Sequence, residues 1–191
     1  MANETLNRIV ESFNIPLDAI DAGLQLMGEK DHKYLKDLRI NLSNALSSPN
    51  IDKKQSLMLA LAAAINEQSL KLVHGLKNIA LAEGVTEDEI AEIYACVSLM
   101  NVNNVFYRFK HFVGKEYYTR TPAGIKMSIM VNPVMGKELF ELVSLMLSAL
   151  NGCEQCVRSH EASVLQHGAT EARVYDAIRL GAIIKGFTTI L

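Results

Sequence analysis

The chain has 191 residues, of which 49% are hydrophobic and 21% charged, and its formal net charge is −2. That length favours one domain with a sizeable core, and the charge balance offers no basic patch of the kind that marks a nucleic-acid partner. No run reaches the roughly 18 apolar residues of a membrane-spanning helix, and tryptophan is absent among much Ala, Leu and Met, which leans towards helix.

Taken in chain order, the apolar residues recur with helical rather than alternating period. Leu6, Ile9, Val10 and Phe13 fall at i, i+3, i+4 and i+7 of a first amphipathic helix. Asn14-Ile15-Pro16 breaks it, and Pro16 is placed to open the next turn. Leu35, Leu38, Leu42 and Leu46 line one face of a helix over Tyr34 to Leu46, which the turn cluster Ser47-Ser48-Pro49-Asn50 closes. From Asp52 a long apolar stretch runs to Leu81, with a break expected near Asn66-Glu67.

Gly84 stops that stretch. Thr86-Glu87-Asp88-Glu89 then forms a capping box ahead of Ile90, Ile93, Tyr94 and Val97. Gly114 to Asn132 carries the weakest pattern, with Pro122 and Pro133 as breakers. Three further helices follow: Lys137 to Leu150, Cys153 to Gln166, and Thr170 to near the end. No strand pattern is found, so the fold class is all-α.

A faint internal repeat lies beneath this order. A shift of 84 residues lays Gly84-Val85-Thr86-Glu87 on Gly168-Ala169-Thr170-Glu171, and Ile90 on Val174. Two unrelated helix–Gly–capped-helix units would also look alike. If the repeat is real, only the second copy has chemistry, because Ser69 and Leu72 stand where Cys153 and Cys156 do.

The chemistry-bearing segment is Asn151-Gly152-Cys153-Glu154-Gln155-Cys156-Val157-Arg158-Ser159-His160. Asn151-Gly152 ends one helix and the next begins at or near Cys153. Cys153, Cys156 and His160 then share one face at i, i+3 and i+7. A thiol in the first helical turn feels the positive end of the macrodipole, which favours thiolate. His160, one turn past Cys156, can take a thiol proton. Sulfurs at this spacing can close a disulfide, so the set reads as a redox centre with its own base.

Glu141 lies twelve residues before Cys153 on the preceding helix, two to three turns back along an antiparallel interface, and its apolar neighbours leave its direction open. Two other readings stand beside the redox centre. One is a buried pair of small apolar side chains. The other is a zinc site of Cys153, Cys156, His160 and Glu141 or water, although structural zinc sites usually join separated segments. Cys96 reads as core, and His74, His111 and His167 as solvated or packed side chains. First-turn placement favours Cys153 as the more acidic thiol, whereas nearness to His160 favours Cys156.

The N-terminal MANETLNR lacks a basic start followed by an apolar run, so a cytoplasmic location is expected. In that compartment a close cysteine pair is catalytic, redox or metal-binding rather than a structural staple.

Beyond the cysteines, several segments resemble the alkyl hydroperoxidase D (AhpD) family of the carboxymuconolactone decarboxylase-like superfamily. Lys36 to Ser43 is similar to the family's early helix, and Asn103 to Phe109 to its NNVFYR segment. Arg120, Pro122, Gly124, Met127, Ile129, Asn132 and Pro133 follow its spaced pattern, and Glu141, Cys153, Cys156 and His160 match its active-site signature. The similarity runs from about Tyr34 to Thr189.

The resemblance implies a helical fold of two related halves, about 1–100 without the cysteine pair and about 101–191 with it, assembled as a homotrimer. It implies reduction of alkyl hydroperoxides without a bound cofactor or metal. The redox partners implied are a peroxiredoxin and a lipoylated dihydrolipoamide acyltransferase. It assigns peroxide attack to Cys156, proton donation and resolution to Cys153, and a proton relay to Glu141 and His160. One departure is Gln155, where the family often carries a second His; an amide can hydrogen-bond but cannot shuttle a proton. A dithiol disulfide reductase with little direct peroxidase activity, and a non-catalytic zinc-binding or scaffold protein, are the alternatives. For Asn103 to Arg108, helix packing and satisfaction of backbone groups at a bend is the preferred reading.

Overall fold

A computed structural model describes residues 3–191 of the chain. It is all-α, with no strand among the described residues. Helix α1 (Glu4–Glu11) is capped by the Asn3 side chain, which accepts from the Leu6 amide, and it buries Leu6, Ile9 and Val10. Pro16 opens the next turn as expected, a 3-10 turn over Leu17–Ala19, and α2 (Ala22–Glu29) follows it. The Asp21 amide is bonded to the Leu191 carbonyl, which pins the start of α2 to the C-terminal residue.

Helix α3 (Tyr34–Leu46) buries Leu35, Leu38, Leu42 and Ala45. The long apolar stretch divides into α4 (Lys53–Asn66) and α5 (Leu70–Ala82), with Gln68 left-handed between them. Helix α6 (Glu87–Val113) starts with both bonds of the Thr86–Glu89 capping box in place and ends at left-handed Gly114. The weakly patterned region holds α7 (Glu116–Arg120) and a 3-10 turn, Ser128–Met130. Then come α8 (Lys137–Leu150), α9 (Glu154–Gln166) and α10 (Glu171–Thr188).

The core is built around α4 and α8, which are apolar on almost every side. Residues Ser56 to Ala64 of α4 and Leu139 to Ser148 of α8 are buried without a break. A helix hydrophobic all round belongs in the interior, and the other helices pack about this pair. Each fully buried Leu contributes about 1.5–3 kcal/mol relative to exposure.

The bounds of the helices repeat. Under a shift of 84 residues, α4 falls on α8, α5 on α9, and the first residue of α6 on that of α10. The ion pairs repeat with it: Lys54–Glu89 joins α4 to α6, and Glu138–Arg173 joins α8 to α10 at equivalent positions with the charges exchanged. The shift also shows why only one copy has polar chemistry. The positions of Glu141, Cys156 and His160 are held in the first copy by Leu57, Leu72 and Leu76, all buried. Gly75 stands at the position of Ser159, and a β-carbon there would lie 1.8 Å from the Phe13 carbonyl oxygen. The residues after α1 therefore fill, in the first half, the place that is open beside Ser159 in the second.

Candidate functional site

Helices α8 and α9 form an antiparallel hairpin through Asn151-Gly152. The turn is held by a ladder of amides. Asn66 Nδ2 donates to Asn151 Oδ1 (3.0 Å), Asn151 Nδ2 to Asn104 Oδ1 (3.0 Å), and Asn104 Nδ2 to Ser148 Oγ (2.9 Å). Arg108 Nη1 adds a bond to the Asn151 carbonyl at 2.5 Å. Asn104 and Arg108 thus pack helices and satisfy a bend, and the bend is the one that presents the cysteines.

Cys153 is the N-cap of α9 rather than its first helical residue, and Cys156 sits at the third position of the first turn. Both sulfurs therefore lie at the positive end of the macrodipole, and nearness to His160 is what distinguishes Cys156. The two cysteines are joined as a disulfide, with their Cα atoms 5.3 Å apart. Cys153 is fully enclosed, whereas Cys156 is 6% exposed and borders a cavity of about 300 Å³. Asn103, Tyr107, Met127, Met130, Gln155, Ser159 and His160 complete its lining.

Glu141 points inward. It is 3% exposed, its Oε2 is 2.7 Å from His160 Nδ1, and its Oε1 is 2.8 Å from Lys137 Nζ. Burial by itself would push this carboxyl up. The hydrogen bonds from His160 and Lys137, with their charges, outweigh burial and hold it at about 2. An ionised carboxylate only accepts, so His160 Nδ1 must donate. That fixes the tautomer: the neutral ring presents a free lone pair at Nε2.

All four residues singled out in the sequence thus meet at one place. The third cysteine, Cys96, is buried on α6 beside Ser144, and burial pushes its thiol up to about 12. Among the described residues, no three His, Cys, Asp or Glu side chains converge in a metal-holding group, and no helix is long and apolar enough to cross a membrane.

Lys137, Asn103, Tyr107 and the two methionines were not singled out as site residues. Asn103 and Tyr107 are one turn apart on α6, a spacing that marks a shared face without saying what the face meets. Lys137 lies four residues before Glu141, so an i, i+4 pairing was legible once the carboxylate was known to turn inward.

Residues 118–191 match the carboxymuconolactone decarboxylase family. Three curated relatives, each named alkyl hydroperoxide reductase AhpD, align over most of the chain. The protein of Anaeromyxobacter dehalogenans is 36% identical over 89% of this chain and 91% of its own. That of Coxiella burnetii is 34% identical over 87% and 96%, and that of Maricaulis maris 38% identical over 83% and 91%. With identity of this order over most of the chain, it belongs to the alkyl hydroperoxide reductase AhpD family.

Proposed function

We propose that this protein is an alkyl hydroperoxide reductase that cycles Cys153 and Cys156 between dithiol and disulfide. The observation that carries the reading is the order of groups from cavity to core: Cys156 and His160 at the cavity, Glu141 behind His160, and Cys153 behind Cys156.

In the dithiol form, the Cys156 thiol passes its proton to His160 Nε2, and the thiolate attacks the terminal oxygen of the hydroperoxide. The O–O bond breaks, Cys156 becomes a sulfenic acid, and the departing alkoxide takes the proton from the imidazolium. The Cys153 sulfur then attacks the sulfenic sulfur. Its proton and the hydroxyl leave as water, and the disulfide closes. Two thiols and one hydroperoxide yield one alcohol, one water and one disulfide. Glu141 keeps Nδ1 protonated and stabilises the imidazolium formed on the way. Gln155, at the cavity in place of a second His, leaves the relay with one imidazole.

The same reading extends to partners and assembly. The disulfide is reopened by dihydrolipoamide on a lipoylated acyltransferase, a peroxiredoxin exchanges electrons with the same dithiol, and the protein works in the cytoplasm. The chain forms one domain of two related halves, about 1–100 and about 101–191, of which the second carries the chemistry. It assembles as a homotrimer, which the exposed Val102, Val105, Phe109 and Phe112 along α6 support. Light scattering at micromolar concentration should give three times the 21.1 kDa chain mass; a monomer would overturn the trimer.

The test of function is turnover. Protein reduced with dihydrolipoamide should convert an alkyl hydroperoxide to its alcohol, and Cys156→Ser should abolish this. Absence of turnover by the wild type, with a peroxiredoxin-coupled assay still active, would assign it instead to disulfide reduction.

A further inference from the structure

Lys137 occupies a place that helix energetics disfavour. It is the first residue of α8, where the macrodipole repels a cation, and it precedes its partner Glu141 by four residues, the weaker order for a lysine–glutamate pair. Helix-end energetics do not account for it. The chain contains its own control, because Lys53 opens α4 at the equivalent position, 84 residues earlier, with Leu57 where Glu141 would be. Lys53 is 67% exposed and pairs across to Glu83. Lys137 is 32% exposed and folds inward, with Nζ 2.8 Å from Glu141 Oε1 and 2.6 Å from the Met130 carbonyl oxygen. Met130 is part of the cavity wall.

We infer that Lys137 is a positioning residue of the peroxidatic site: it holds one oxygen of Glu141 so that the other faces His160, and it ties the cavity wall at Met130 to the same carboxylate. This inference rests on the proposed peroxidase reading. Other charged groups on the helices around α8 are engaged elsewhere: Arg173 of α10 with Glu138, Lys54 of α4 with Glu89, and Glu92 of α6 with the amides of Val134 and Met135. From α9, His160 faces Glu141; from α6, the neighbouring titratable group is the buried Cys96 thiol. Lys137 is thus the fixed cation that Glu141 meets, and losing it leaves a buried carboxylate with His160 alone.

The experiment compares wild type, Lys137→Met and Lys137→Arg in two readouts. The first is the Glu141 carboxyl titration, followed by carbon NMR on the disulfide form, which needs no turnover. Lys137→Met should move its midpoint up by about one pH unit or more, and Lys137→Arg should restore most of the wild-type value. The second is the pH profile of hydroperoxide turnover, in which kcat of Lys137→Met should fall by about 10-fold near neutrality and further as the pH falls. An unchanged Glu141 midpoint in Lys137→Met, or a turnover profile that keeps its wild-type level and shape, would overturn the inference. If Lys137→Met does not fold, Lys137→Gln, which keeps a donor but not the charge, carries the same two readouts, and a wild-type midpoint and profile in it would overturn the inference. A wild type that titrates as described but turns over no hydroperoxide would sink the peroxidase reading and leave the Lys137–Glu141 geometry standing.

Discussion

His160 Nδ1 lies 2.7 Å from Glu141 Oε2, and the same imidazole lines the cavity that Cys156 borders. A base so backed is oriented before substrate arrives. Replacing His160 with Gln should therefore lower hydroperoxide turnover by about 10²- to 10⁴-fold while helical circular dichroism stays unchanged. Glu141→Gln should act in the same direction and by less, because it works through the imidazole. A His160→Gln protein with wild-type turnover and thiol titration would mean that the helix start alone activates Cys156.

Glu141 also makes the fold sensitive to acid. Its carboxyl is held at about 2 against an ordinary value of 4.5. A depressed carboxyl contributes stability that is fully present above the unfolded value and lost as pH falls through the folded one. The contribution is on the order of 3 kcal/mol at neutral pH. Urea midpoints measured from pH 6 to pH 2 should thus decline between about 4.5 and 2 in the wild type. The decline should be shallower in Glu141→Gln. Parallel curves for the two proteins would show that other carboxylates carry the acid response.

The three thiols should be sharply unequal. In reduced protein at pH 8, iodoacetamide should reach Cys156 first, because it borders the cavity at a helix start. Cys96, buried and with its thiol pushed up to about 12, should stay unlabelled until denaturant is added. In a separate, unalkylated sample, peroxide treatment should remove two hydrogens from the peptide holding Cys153 and Cys156. Mass spectrometry reads both results, and free, alkylatable Cys153 and Cys156 after oxidation would end the dithiol mechanism.

Two buried glycines offer a contrast in packing. At Gly75 an added β-carbon meets backbone, the Phe13 carbonyl oxygen at 1.8 Å; at Gly181 it meets the Met146 side chain, Cγ at 2.6 Å. A methionine can rotate away, whereas the segment after α1 must shift bodily. Gly75→Ala should cost about 3 kcal/mol and Gly181→Ala about 1 kcal/mol, read as denaturant midpoints. Equal losses would mean that the Phe13 segment is free to move.

Much of this architecture is legible in the sequence. The helices from α3 onward that carry strong periodicity, with their capping signals at Thr86 and Thr170, appear where local chemistry places them, since caps and apolar faces depend on residues within one or two turns. The spacing of Cys153, Cys156 and His160 also lies within two turns, so their common face was readable. Glu141 was a different matter. Leu142, Val143, Leu145 and Met146 around it are apolar, so its direction is decided by what α9 offers across the hairpin, which is a tertiary fact. The same holds for Asn103 and Tyr107, whose side chains reach the cavity only because α6 packs beside α9. Pro16 opens the next turn as its local chemistry suggests, whereas the bond from Asp21 to Leu191 is invisible to a local reading.

The amide ladder at the α8–α9 turn has a consequence for the protein's lifetime. Asn151 is followed by Gly152, the pairing most prone to lose its side-chain amide when the following backbone nitrogen attacks it. Here both participants are occupied: the Asn151 side chain is held by Asn66 and Asn104, and the Gly152 N–H is bonded to the Ala149 carbonyl. Deamidation at Asn151 must wait for the hairpin to open, so its rate becomes a slow clock of local unfolding at the redox turn. Ageing at that turn would replace a neutral rung with a carboxylate between Asn66 and Asn104, immediately ahead of Cys153.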